Sequence, residues 1–162
     1  MMKEFTVFMD EGPINNSLIE SFEHNINYCL PFNYKLIITK HNRLRVYEDT
    51  FDFVNIYGNK DNRGLTFLGY GDIKYGKIED SLYVSDPQYY GIPNLVAFGE
   101  CGNGDIICFD YRDDPKGCNP KVVLVYHDDY ITQEDGTIQM VVNFVANSFE
   151  EFMDMLYEYK DE

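Results

Sequence analysis

From Leu95 to Val145 the chain is a succession of short runs rich in β-branched and aromatic residues, separated by glycine-containing turns. That pattern leaves few folds open. Leu95-Val96-Ala97-Phe98 and Asp105-Ile106-Ile107-Cys108-Phe109-Asp110-Tyr111 flank a connection in which Asn103-Gly104 tolerates the positive φ of a tight hairpin. A second loop, residues 112–119, leads into Val122-Val123-Leu124-Val125-Tyr126, and Asp135-Gly136 then turns the chain into residues 138–145. Strands joined by connections this short pair antiparallel. The last two runs are nearly continuous in apolar residues, which predicts places in the middle of a sheet with both faces covered.

The two ends of the chain follow a helical period instead. Ser17 with Glu20 has the spacing of a capping box, and Leu18, Ile19, Phe22, Ile26 and Cys29 then fall on one helical face. Leu30-Pro31 ends that helix and opens a second, with Tyr34, Ile37 and Ile38 on its apolar side and a frayed end near His41-Asn42. Ser148 with Glu151 repeats the capping pattern before Phe149, Phe152, Met153 and Leu156. Between the ends, residues 44–48, 51–57 and 65–68 read as strands, with residues 58–64 as a polar turn. Residues 69–93 read as a long connection with one short helix over residues 86–90. The expectation is a single α+β domain over residues 1–162. An antiparallel-rich sheet of about six strands would carry an N-terminal helix pair and a C-terminal helix.

Charge excludes whole classes of partner. Twenty-eight acidic side chains against 13 basic ones leave a net charge of −15 over 162 residues. Affinity for a nucleic-acid backbone comes from Lys and Arg displacing counterions, so nucleic acid is not the expected ligand. An anionic membrane surface is disfavoured for the same reason. No apolar run approaches the roughly 20 residues that span a bilayer. Thr6, enclosed with its apolar neighbours between Glu4 and Asp10, interrupts anything resembling a signal peptide. The expected location is cytoplasmic, and there Cys29, Cys101, Cys108 and Cys118 would be reduced thiols. They contain no CxxC half-site for a structural zinc cluster.

No catalytic constellation emerges. Gly102-x-Gly104 precedes a strand rather than a helix, so it lacks the helix N-terminus that holds a pyrophosphate. Asp105, Asp110, His127, Asp128 and Asp129 are the most chemical-looking group, but acidic residues at strand ends are ordinarily solvated, and neither metal nor cofactor is expected. Cys108 with His127 would be a nucleophile pair only if the thiol left its apolar strand, and no Gly-x-Ser-x-Gly elbow exists. The charge is also uneven. Lys35, Lys40, Arg43, Arg45, Lys60 and Arg63 lie between positions 34 and 63, whereas residues 122–162 hold ten acids and one base. Such a field steers cationic partners. Tyr70, Tyr75, Tyr89 and Tyr90 at loop positions have the character of interface anchors.

The order of segments resembles the SUKH superfamily, which includes bacterial immunity proteins and a yeast regulator of cell-wall synthesis. The resemblance is carried by Ile19-Glu20-Ser21-Phe22-Glu23, Leu30-Pro31-x-x-Tyr34-Lys35, Ile92-Pro93, Phe98, Gly102-Asn103-Gly104-Asp105, Cys108-x-Asp110, Val122-Val123 and Ala146-Asn147-Ser148-Phe149-Glu150-Glu151-Phe152. His41-Asn42-Arg43 stands where the family usually has Asn-Gly, and the customary central Trp is absent. The resemblance implies helices packed on a sheet of about six strands. It also implies a non-catalytic immunity protein that binds and neutralises a cognate toxin, a basic nuclease domain by preference. A scaffold or regulatory module is the alternative. The partner-binding surface expected from charge is Glu100, Asp105, Asp110, Asp113, Asp114, Asp128 and Asp129, around the central hairpin and the loops that follow it.

Overall fold

The computed structural model describes residues 2–160. In chain order these form β1 (Val7–Met9), α1 (Asn16–Ile26), α2 (Phe32–Lys40), β2 (Arg45–Val46), β3 (Thr50–Val54) and β4 (Lys60–Phe67). A 3-10 segment (Ile78–Ser85) follows, then β5 (Leu95–Cys101), β6 (Ile106–Asp110), β7 (Lys121–Thr132), β8 (Ile138–Ala146) and α3 (Phe149–Met155). Strands β3 to β8 form one antiparallel sheet of six strands in sequence order, while β1 and β2 make a separate two-stranded ribbon. The fold is α+β, as the sequence pattern implies.

The sheet curls until its two edges approach. The backbone N–H of Ile56, just past β3, donates to Asn143 Oδ1 on β8 at 3.0 Å, and Asn55 Nδ2 donates to the Tyr126 hydroxyl on β7 at 3.2 Å. β8 is therefore an edge strand by its ladder, not the central strand that its apolar run suggests. Its core-facing residues Val141, Asn143 and Val145 are buried, with both the opposite edge and α3 packed against the strand.

An aromatic cluster fills the space between the sheet and the helices. Tyr34 on α2 is fully buried and meets Phe67, Phe98, Phe109 and Phe149 with ring centroids 5.1–6.5 Å apart. Phe98 and Phe109, neighbours across β5 and β6, stack at 4.0 Å. Phe149 and Phe152 bring α3 onto the same cluster, each side chain worth about 1.5–3 kcal/mol in burial. The polar atoms inside are paired. Tyr34 and Tyr70 share a hydroxyl–hydroxyl bond of 2.9 Å, and the buried Asn42 side chain both accepts from Tyr70 N–H and donates to its carbonyl.

Several local expectations are corrected. The cap of α1 is Asn15, whose side chain accepts from Ser17 N–H, so the Ser17–Glu20 pair lies inside the helix. α1 stops at Ile26 because Asn27 turns left-handed at φ 63°, leaving Cys29 outside it. Asn55 organises the turn after β3 by accepting from both Tyr57 and Asn59 N–H, so β4 starts at Lys60, within the expected turn. In the long connection the helical segment is Ile78–Ser85. Residues 86–90, expected to be helical, instead form a turn in which Asp86 accepts from Gln88 and Tyr89 N–H. Tyr70 is core rather than an interface anchor, whereas Tyr75 and Tyr89 are exposed.

The four-thiol expectation is also corrected. Cys29 and Cys118 are joined by a disulfide with their Cα atoms 4.9 Å apart, tying the α1–α2 connection to the loop after β6. Tyr111 brings the two segments together: it stacks on Tyr28 at 4.6 Å and donates its hydroxyl to the Cys29 carbonyl. Cys101 and Cys108 remain thiols in the core.

Candidate functional site

The seven acids expected to form one surface separate into two groups. β6 places Asp105 before its first residue and Asp110 at its last, roughly 17 Å apart for an extended strand. Glu100 on β5 pairs with Ile106, and Asp128 and Asp129 lie on β7, so these three share the Asp105 end. Asp113 and Asp114 follow Asp110 at the other end.

Most of these carboxylates are already partnered. Asp110 is held in a fork by Arg112, with Nε and one terminal nitrogen each 2.9 Å from its oxygens. Asp113 pairs with Lys121 at 2.8 Å, which lowers its pKa, and Glu100 pairs with Arg43 at 2.7 Å. Arg43 also donates to the Phe67 carbonyl, so this pair pins the start of β2 to the sheet. Asp114, Asp128 and Asp129 have no cation within ion-pair distance among the described residues.

Asp105 is the correction with most consequence, because it is only 1% exposed and presents nothing to a partner. Its Oδ2 accepts from Arg63 Nε at 2.8 Å and Asn103 Nδ2 at 3.0 Å. Its Oδ1 accepts from the backbone N–H of His127 at 3.0 Å and lies 2.6 Å from His127 Nδ1. Burial by itself raises this carboxyl's pKa, but the bonds from His127, Arg63 and Asn103 outweigh it and hold the group below its ordinary range. Asp105, His127 and Asp128 present ligand atoms within 4.8 Å of one another, yet both Asp105 oxygens are committed to protein donors.

What Asp105 does is shape β7. Between the pairs Val125–Val142 and Tyr130–Met140, β7 carries four residues (Tyr126, His127, Asp128 and Asp129) opposite the single Val141 of β8. A bulge of this kind takes side chains out of the ladder and re-aims them. The freed His127 N–H is taken by Asp105, and the turn after β3 holds the bulge from the other side. Tyr57 donates its hydroxyl to Asp129 Oδ2 at 2.6 Å, a bond that raises the Tyr57 pKa. Beyond the bulge, β7 and β8 continue to Thr132 and Ile138 as a two-stranded arm, closed by the expected Asp135-Gly136 turn. Sequence reasoning missed Arg63, Asn103 and the bulge. The only signal was an arginine in a polar stretch of β4, which pairing alone does not mark as buried.

The thiols offer no nucleophile. Cys108 is fully buried and its pKa is pushed far up by burial, as that of Cys101 is, to about 12. Among the described residues no helix is long and apolar enough to cross a membrane.

A curled six-stranded antiparallel sheet, with helices from both chain ends packed on its aromatic core and an acidic arm standing beyond it, defines an α+β fold. The chain belongs to the SMI1 / KNR4 family (SUKH-1), whose family model matches residues 13–155. That membership is consistent with an immunity protein or a regulatory module. Searches of the curated proteins and of the solved structures each returned no match.

Proposed function

We propose that this protein is a non-catalytic immunity protein that acts in the cytoplasm, capturing a cationic toxin, a nuclease by preference, and blocking it stoichiometrically. Family membership supports an immunity or regulatory role, and one observation points to the chemistry of the partner. In the bulge and the arm beyond it, Asp128, Asp129, Glu134 and Asp135 have no Lys or Arg near them in sequence, and none of the four makes an ion pair among the described residues. Carboxylates left unneutralised together in a protein with 13 cations elsewhere create a local negative field that attracts a basic surface and speeds its arrival. A nuclease must hold a basic cleft to bind its own substrate, which makes it a matching target. Of the remaining acids of the expected surface, Glu100, Asp105, Asp110 and Asp113 are each held by a cation of the protein, and Asp114 lies toward the other end of β6 from the arm.

The test is co-expression with the polypeptide encoded by the neighbouring reading frame. Growth arrest by that polypeptide alone, relieved by this protein and accompanied by a one-to-one complex, is the expected outcome. Growth unaffected by the polypeptide, or arrest that this protein does not relieve, contradicts the immunity reading and leaves the regulatory one.

A further inference from the structure

We infer that the partner docks on the outer face of the β7–β8 arm, with an apolar stripe at the centre of the contact and the arm's carboxylates at its rim. On β8, Ile138, Met140, Val142 and Phe144 alternate in sequence and so share one face. Tyr130 stands directly opposite Met140 on β7 and joins them. In a monomer this stripe is open: Tyr130 is 57% exposed, Ile138 54% and Phe144 50%. Met140 and Val142 are half-buried against the core and give the stripe a firm floor.

The ladder adds a second opening. Among the described residues β8 pairs with β7 alone, and the far edge reaches it through the Ile56 N–H bond to the Asn143 side chain. Over residues 138–142 no strand is paired to the outer side of β8 among the described residues, the kind of edge that an added strand can extend.

Charge selects the occupant. A second copy of this chain would bring two sets of arm carboxylates together on molecules of net charge −15, which opposes self-association. An anionic lipid or nucleic-acid surface is repelled in the same way. A cationic polypeptide satisfies both parts, its apolar side chains covering Tyr130 and Ile138 while its Lys and Arg meet Asp128 and Asp129. Aromatic and aliphatic anchors inside a polar rim are where binding energy concentrates.

This inference rests on the immunity reading, and the test separates the two. The toxin of the neighbouring reading frame is titrated, in catalytically inactivated form, against the wild-type protein, a Tyr130→Ser/Ile138→Ser variant and a Phe32→Ser/Leu36→Ser control. Phe32 and Leu36 are exposed apolar residues on α2. Circular dichroism and thermal melts establish that each variant is folded. Docking on the arm predicts a loss of about 100-fold or more in affinity for the arm variant. The control should stay within about threefold of the wild type, as for residues outside a hot spot. Should the arm variant prove unfolded, amide exchange on the wild-type complex decides the question, protection over residues 128–144 supporting the arm. Wild-type binding with an unaffected arm variant, or with unprotected arm amides, overturns the arm while the immunity reading stands. No binding by the wild type overturns both.

Discussion

Arg63 Nε donates to Asp105 Oδ2 at 2.8 Å, linking β4 to the start of β6 across 42 residues of sequence. The same guanidinium pairs with Asp61 at 2.9 Å and lies 5.5 Å over the Phe53 ring and 5.8 Å over that of Tyr126. Asp105 passes the constraint on to His127, and thereby to the bulge that presents Asp128 and Asp129. An ion pair between a half-buried arginine and a buried carboxylate thus sets the geometry of an exposed acidic arm.

Arg63→Met keeps the aliphatic stem and removes the charge, leaving the Asp105 carboxylate without its cation. A loss of about 3–5 kcal/mol in unfolding free energy is expected from urea titration. A loss below about 1 kcal/mol would place Arg63 among ordinary surface pairs and contradict its supporting role.

Acid should destabilise the protein through its partnered carboxylates, those of Arg63 among them. His41 lowers the Asp10 pKa and Arg63 lowers that of Asp61. At Asp105 burial pushes the pKa up, but the surrounding donors outweigh it and the group still lies below its ordinary value. Folded values below the unfolded ones mean a stabilisation fully present above the unfolded pKa and lost as pH falls through the folded one. Urea midpoints should therefore hold steady from neutral pH and drop as the solution is acidified through the carboxylate range. In Arg63→Met the Asp105 pKa rises, so the drop begins at higher pH. Superimposable profiles for the two proteins would contradict this.

Tyr34→Phe removes one hydroxyl of a fully buried pair and leaves the Tyr70 hydroxyl without its partner, at a cost of about 1–3 kcal/mol. The Tyr34→Phe/Tyr70→Phe double variant removes both and should recover much of that loss, giving a measurable coupling energy. Strict additivity of the two single variants would show that the hydroxyls do not depend on each other.

The disulfide closes a span of 89 residues. Maleimide labelling of the chain, denatured without reductant, should modify Cys101 and Cys108 but not Cys29 or Cys118. Reduction should lower stability by about 2–4 kcal/mol. Labelling of all four thiols in protein taken directly from the cytoplasm and trapped by acid would show the bridge open in that compartment.

Much of the fold is legible in the sequence because its signals are local. Asn103-Gly104 and Asp135-Gly136 mark their turns wherever the strands go, and Ser148 caps α3 by accepting from Glu151 N–H as its spacing implies. Features set by tertiary partners are not legible. β8 reads as a central strand because its residues are apolar, and Val141 and Val145 are indeed buried, but it is an edge strand whose cover comes from α3 and from the curl that brings Ile56 to Asn143. Asp105 reads as a solvated turn residue, and only the packing of β4 beside β5 brings Arg63 to it. Asp128 and Asp129 read as the point where a strand runs out into solvent, whereas a bulge holds them within a strand that continues to Thr132.

The most direct measurement is the association kinetics of the inactivated toxin with the wild-type protein and with an Asp128→Asn/Asp129→Asn/Glu134→Gln/Asp135→Asn variant, across a salt series. Electrostatic capture through the arm predicts that the variant associates about 10–100-fold more slowly at low salt. Its rate should also lose most of its salt dependence, while dissociation changes far less. Identical association rates and identical salt slopes for the two proteins would contradict capture through the acidic arm.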